Sequence, residues 1–276
     1  MQVSRVLLKV LFGAVVCQAN PDLKPVLPAA TTGPGVGQPV FIAGNMRNAA
    51  SYQVGGVAPG EIVTIFGSRL GPFRPASMYD RDTSHISKSL SGSRILFNNV
   101  PAPMVYTSSG QLSAIVPYAV AGNATVRVQA EYNLVKSAAV SVPVVATVPG
   151  VFTNNAAHTG AGMILNHDGS LNSPSKPAAV GSTIVMFGTG EGQTAPQGID
   201  GLIATGTSPK PTARVSVTIG GVSAKVKDAG AVPHEVAGVF QIKAEIPAGV
   251  SPGKAVPVVV NVGNSSSQKN LTISVR

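Results

Sequence analysis

An all-β protein, with two β-sandwiches in tandem behind an export signal and a linker, is the fold class this sequence predicts, and three observations predict it. The first is an internal repeat: Gly60-Glu61-Ile62-Val63-Thr64-Ile65-Phe66-Gly67 returns as Gly181-Ser182-Thr183-Ile184-Val185-Met186-Phe187-Gly188, and Gln111-Leu112-Ser113-Ala114-Ile115-Val116-Pro117 returns as Gln241-Ile242-Lys243-Ala244-Glu245-Ile246-Pro247. Copies so far apart are spaced like whole small domains, not like solenoid units. The second is composition: 31 Gly and 22 Pro in 276 residues with only 11% charged side chains and no Trp favour many turns and short strands over Glu- and Lys-rich helices. The third is period-two alternation, clearest where Ile242, Ala244 and Ile246 are expected inward and Gln241, Lys243 and Glu245 outward.

The elements follow in order. Residues 1–19 have the design of an export signal, with Arg5 and Lys9 before the apolar run Val10 to Val16 and small residues at Cys17 and Ala19. That run is too short to span a bilayer, and cleavage is expected after Ala19. Val16 is bulky for an acylation signal at Cys17, which favours cleavage over a lipid anchor. Residues 20–40 are Pro, Gly, Ala and Thr with almost no charge and read as a flexible linker. The first sandwich is expected over 41–147, with strands at Glu61 to Phe66, Arg94 to Phe97, Val100 to Tyr106, Gln111 to Val116, Thr125 to Glu131 and Ala139 to Val145. Asn98-Asn99 supplies the residues that tolerate positive φ in a tight hairpin turn. The stretch Phe73 to Gly92 is polar and is expected as a surface excursion. The second sandwich, over 148–276, repeats the plan with Gly220-Gly221 at the turn and strands at Val215 to Ile219, Gln241 to Ile246, Val256 to Val262 and Leu271 to Val275. About seven strands per unit is the immunoglobulin-like number.

Charge narrows the partners. The formal net charge is +9, and loss of Arg5 and Lys9 with the signal leaves +7, divided almost evenly between the halves. No basic run interleaves with aromatic residues, so nucleic acid is not an expected partner. Cleavage would also remove Cys17, the sole cysteine, leaving a mature chain held by its cores without disulfides.

Pro59 to Gly67 with Leu70-Gly71-Pro72, followed by Phe97-Asn98-Asn99-Val100-Pro101-Ala102, resembles the IPT/TIG family of immunoglobulin-like domains, and the second copy is similar but looser. From Asn48-Ala49-Ala50-Ser51 to the C-terminus the chain also resembles an uncharacterised C-terminal region of secreted acidobacterial proteins. Its hallmarks stand here as Pro149-Gly150-Val151-Phe152-Thr153, Asn166 to Asn172 and Thr189-Gly190-Glu191-Gly192. These resemblances imply an exported immunoglobulin-like module and no particular activity.

Reactive constellations are incomplete. His234-Glu235 opens like a zinc-protease helix, but Gly238 stands where the second histidine must return. Asp80, Asp82 and Ser84 open like a calcium loop, with His85 in place of the turn glycine and Ser91 in place of the closing glutamate. Gly188 to Gln193 lacks the Lys and Ser/Thr of a phosphate loop and reads as a strand exit. Asn166 to Ser170 reads as an Asx-type turn with Gly169 left-handed. No serine lies in a nucleophile elbow, and His85, His158, His167 and His234 are scattered among loop-like segments. The sequence therefore assigns no catalytic, cofactor-binding or metal residue, and it leaves the binding surface and oligomeric state open. It points to a non-enzymatic secreted or cell-surface module, a spacer or adhesion domain whose partner is a surface protein or polysaccharide, with no transmembrane segment once the signal is cleaved. Two rivals have distinct signatures. An exposed cluster of Tyr79, Tyr106 and Tyr118 would favour carbohydrate binding, and a pocket that gathers His167, Asp168 and Glu191 would favour a loop-built hydrolase.

Overall fold

The computed structural model describes residues 37–78, 84–155 and 158–276. The expected export signal, the expected linker up to residue 36 and the positions Tyr79, Asp80 and Asp82 lie outside the described residues. The protein is all-β, 47% strand against 3% helix, with immunoglobulin-like sandwich packing.

The repeated segments pair alike. Ile62–Phe66 runs antiparallel to Gln111–Ile115 with Phe66 opposite Gln111, and Thr183–Thr189 runs antiparallel to Phe240–Glu245 with Phe187 opposite Gln241. Neither strand pair lies at the edge of its sheet. In the N-terminal half Met46–Asn48 and Met104–Thr107 flank it, with Ala76–Ser77 at the edge. A second sheet, built on Ser93–Phe97 and Thr125–Tyr132, closes over it. Val63, Ile65, Leu112 and Ala114 from one sheet meet Ile95, Phe97, Val126 and Val128 from the other in one core.

The C-terminal half is built from a sheet that runs Gly150–Val151, Thr183–Thr189, Phe240–Glu245, Val222–Ala231, Val215–Ile219, Gly253–Val262, Leu271–Val275. It folds over its own core of Ile184, Met186, Ile242, Ala244, Val258, Val260 and Ile273. The ten-residue strands Val222–Ala231 and Gly253–Val262 let one ladder serve both layers. Each ladder breaks register once, at Val226/Asp228 and at Gly253/Val256, where a bulge bends the strand.

The hairpin turns follow residue chemistry. Asn98 and Asn99 have φ of 48° and 67°, and Gly220 and Gly221 have φ of 59° and 79°. Both central residues are left-handed, as a two-residue turn that matches strand twist demands.

Three expectations need correction. Val100 to Tyr106 is not one returning strand: Val100–Pro101 pairs with Ser93–Phe97, but Met104–Thr107 belongs to the opposite sheet. Pro101 and Pro103 have no N–H to continue a ladder, and the chain changes sheets between them. Gln241 is buried, not outward, and its Nε2 donates to the Ala231 carbonyl at 3.1 Å. The excursion is not all surface: Ser84 accepts from Ile203 N–H, Ile86 N–H donates to Gly201, and Met104 N–H donates to Ser87. At the end of the linker, Val40 exchanges backbone bonds with Ser68 at 3.0 and 2.9 Å, which ties it to the first sheet.

A third core explains Gln241. The outer faces of the two repeated strand pairs are covered by Ala49, Ala50, Ile62, Val105 and Ile115 from the N-terminal half and by Phe152, Met163, Phe187, Val236 and Val239 from the C-terminal half, all in one cluster. Every residue of Gln111–Ile115 is consequently buried. Ile62→Ala should therefore cost roughly as much as Ile242→Ala, about 2–5 kcal/mol each by denaturant unfolding. A near-neutral Ile62→Ala would mean that the outer face of this strand pair is wet.

Candidate functional site

The polar groups of the molecule that are hardest to explain by packing converge on this shared core. Asn48, at the end of Met46–Asn48, is the hub. Its Oδ1 accepts from the Ala50 and Ser51 backbone N–H groups at 3.0 and 2.9 Å, and its Nδ2 donates to Glu61 Oε1 at 2.9 Å and to the Val148 carbonyl at 3.0 Å. One amide thus satisfies a turn, a carboxyl and the crossing between the halves. Glu61 Oε2 accepts from Ala58 N–H at 2.8 Å, while Ile62 N–H, at the ladder start, donates to Thr189 Oγ1 from the other half at 2.8 Å. Gly190 makes this approach feasible. Its φ is 85°, and a Cβ there would collide with the Val148 carbonyl, whose own N–H donates to Gly190 at 2.9 Å.

Three buried glutamates have strongly raised pKa values. Burial pushes Glu61 up to about 8 against the opposing pull of the Ala58 N–H and Asn48, and the Glu191 charge pushes the same way. Burial likewise raises Glu191 to about 8, opposed by its own and the Gly190 backbone N–H groups, and raises Glu235 to about 8. Glu191 Oε2 and Glu235 Oε2 have no hydrogen-bond partner among the described residues. Tyr118 is buried within reach of the Glu191 charge, its hydroxyl 2.7 Å from where a Cβ on Gly60 would stand. Its phenol is raised well above its ordinary value by burial first, then by Glu191 and Asp200. Tyr118 is tied to the other half by its N–H, which donates to Asp200 Oδ1 at 2.9 Å, and by its carbonyl, which accepts from Gln193 Nε2 at 3.1 Å.

Tyr118 and Glu191 also line a cleft of about 260 Å³. Its walls are Pro196, Ile199, Leu202 and Pro209 from the loop after Glu191, with Val239 and Phe240 opposite and Thr194, Gln197, Thr205 and Ser208 as its other polar side chains. Across the same joint Tyr52 stacks on His158, ring centroids 3.6 Å apart and planes 13° apart, and His158 Nδ1 lies 3.2 Å from the Ala50 carbonyl. Burial lowers the His158 pKa and raises Tyr52 to about 12.

The residues singled out in the sequence are dispersed. His167 and Asp168 are exposed in the turn Asn166 to Ser170. There Gly169 has φ of 79° and Asp168 Oδ1 accepts from the Ser170 N–H at 2.9 Å, the expected Asx turn. Bonds from the Ser170 hydroxyl and N–H hold the Asp168 carboxyl below its ordinary pKa. Glu191 is buried, and neither His167 nor Asp168 lines its cleft. Tyr106 and Tyr118 are buried, so they form no exposed platform. His234 sits in a loop with φ of 67°, and no group of three or more metal-type side chains is assembled among the described residues. No helix among the described residues is long and apolar enough to cross a membrane. Asn48, Glu61 and Glu235 are the site residues that sequence reasoning passed over. The available signal was glutamate next to a glycine inside otherwise apolar repeats, at Glu61 and Glu191.

An IPT/TIG domain is found at residues 50–154. No curated protein matches the sequence. Among solved structures the chain is similar to the SGBP-B protein of the Bacteroides ovatus mixed-linkage glucan utilization locus, solved with a mixed-linkage heptasaccharide, at 13% identity and a TM-score of 0.31, covering 79% of this chain and 42% of that one. It is also similar to surface layer protein SbsC, domains 4–9, at 14% identity and a TM-score of 0.19, covering 79% and 26%. The tandem Ig repeats of Dlar match at 14% identity and a TM-score of 0.19, covering 80% and 94%. The chain thus spans less than half of the first two.

The buried carboxyls set a pH dependence. Their folded pKa values lie above the unfolded value of 4.5, so the folded state binds extra protons. The contribution of these three groups is fully present below about pH 4.5 and is lost as pH rises through about 8, at up to about 1.4 kcal/mol per pH unit per group. Glu191→Gln should flatten part of that decline in denaturant titrations at pH 5 and pH 8.5. Asn48→Ala should cost about 2–4 kcal/mol at any pH, because it strands buried donors and acceptors.

Proposed function

We propose that the chain is an exported, non-enzymatic surface module of two tandem immunoglobulin-like units, 41–147 and 148–276, acting as a stiff spacer or as an interaction domain for a surface protein or polysaccharide. The observation that carries this reading is the shared core. Apolar side chains from both halves fill one cluster, and backbone and side-chain bonds cross it at Asn48–Val148, Ile62–Thr189 and Tyr118–Asp200. Two units joined that way transmit orientation as well as distance. The IPT/TIG domain at 50–154 supports the same reading, since that family is typically non-catalytic. The leader-like residues 1–19 support export.

The carbohydrate reading would have to use a surface other than Tyr106 and Tyr118. The hydrolase reading would have to bring together His167 and Glu191, one exposed in a turn and the other buried.

Exported protein should begin at Asn20 by N-terminal sequencing, and retention of Met1 or a lipid on Cys17 would refute the leader. The unit 41–147 expressed alone should be markedly less stable than the same unit in the full chain, because Ile62, Val105 and Ile115 lose their cover. Equal stability would remove the basis for a stiff spacer. Retention on heparin resin, if driven by the +7 charge, should collapse between low and physiological salt, where the screening length is about 8 Å.

A further inference from the structure

We propose that the cleft beside Glu191 is a binding site for a small protonated amine carried on an apolar body, the ammonium pairing with the Glu191 carboxylate. This is a ligand-binding capacity separate from the spacer role, and neither depends on the other.

Glu191 is 3% exposed, lines the cleft, and keeps one carboxyl oxygen without a partner among the described residues. A buried acceptor left unmade costs stability, and natural structures seldom tolerate that without a use for it. The walls fix the rest of the ligand. Pro196, Ile199, Leu202, Pro209 and Phe240 offer apolar contact, while no lysine, arginine or histidine lines the cleft. The site therefore holds an acidic group with no basic counterpart among the described residues. A volume of about 260 Å³ is below the usual drug-sized range and fits a single ring or short alkyl chain. A polyhydroxylated sugar matches this lining poorly, because its hydroxyls would find apolar walls on most sides. An ammonium on a compact hydrocarbon matches both features, and its bond to a buried carboxylate is of the strong, charge-assisted kind.

The proton count follows from the same geometry. At pH 7 the buried Glu191, raised to about 8, carries its proton. An incoming ammonium stabilises the carboxylate, so this proton leaves to the buffer while the ammonium keeps its own. Binding thus releases about one proton at pH 7, and this release fades as pH rises through about 8, where Glu191 is ionised before the amine arrives.

The test uses the mature full chain and benzylamine, with benzyl alcohol as its neutral counterpart and Nα-acetyl-lysine-N-methylamide as a stand-in for a protein lysine. Isothermal titration in two buffers of different ionisation enthalpy reads affinity and proton release together. The expected result is binding of benzylamine with about one proton released at pH 7, at least tenfold weaker binding of benzyl alcohol, and a loss of tenfold or more in Glu191→Gln. Stronger binding of the lysine derivative than of benzylamine, with the same loss in Glu191→Gln, would identify a protein side chain as the source of the amine. Thr205→Trp, at an exposed position that lines the cleft, should block binding without disturbing the buried network, and it keeps the test valid if Glu191→Gln folds poorly. Equal affinity for amine and alcohol, undiminished amine binding in both variants, or no amine binding at all would overturn the proposal.

Discussion

The structure depends on burying both faces of two equivalent strand pairs. In a sheet with one wet face, alternate residues are free to be polar, and the strand reads as an alternation. Here Val63, Ile65, Ile184 and Met186 face the cores of their own halves, while Ile62, Ile115 and Phe187 face the shared one. The molecule is thus layered as core, sheet, core, sheet, core. Removing the middle layer would expose apolar residues from both halves at once, so the N-terminal and C-terminal halves depend on each other for cover.

Such a layer leaves little water for polar groups, and the chain answers with a small number of fully engaged side chains. Asn48 makes four bonds, and Thr189 caps a strand start in the other half. Some buried groups are exceptions, among them Tyr52, His158 and two of the carboxyls. Glu61 is held at both oxygens, whereas Glu191 and Glu235 each leave one oxygen unmatched. A purely structural joint has no need of the last two, because an apolar residue of similar size would avoid the desolvation cost. Their presence is the strongest sign that the joint does more than connect.

Much of the fold was legible because its signals are local. The strands Ile62–Phe66, Val215–Ile219 and Leu271–Val275 and the turns at Asn98-Asn99 and Gly220-Gly221 follow from alternation and from residues that accept positive φ. The repeat gave more than element positions, since Phe66 opposite Gln111 and Phe187 opposite Gln241 occupy matching places in the two ladders. What was not legible is long-range. Nothing near Gln241 in sequence announces that a third core covers it, and nothing near Ser84 or Ile86 shows that 201–203 lies alongside. Asn48 carried no signal of its role as a hub, because its partners at Glu61 and Val148 are set by topology. The same holds for the site: His167 and Asp168 drew attention through residue type, but their turn keeps them in solvent.

The stacked Tyr52–His158 pair gives the joint an optical signature. With no Trp in the chain and only five Tyr, ultraviolet emission comes from phenol rings alone, and a phenol held 3.6 Å from an imidazole is placed for quenching by its neighbour. The two rings belong to opposite halves, so any parting of the halves separates them and brightens Tyr52. Native emission therefore reports on the closure of this joint without an added label.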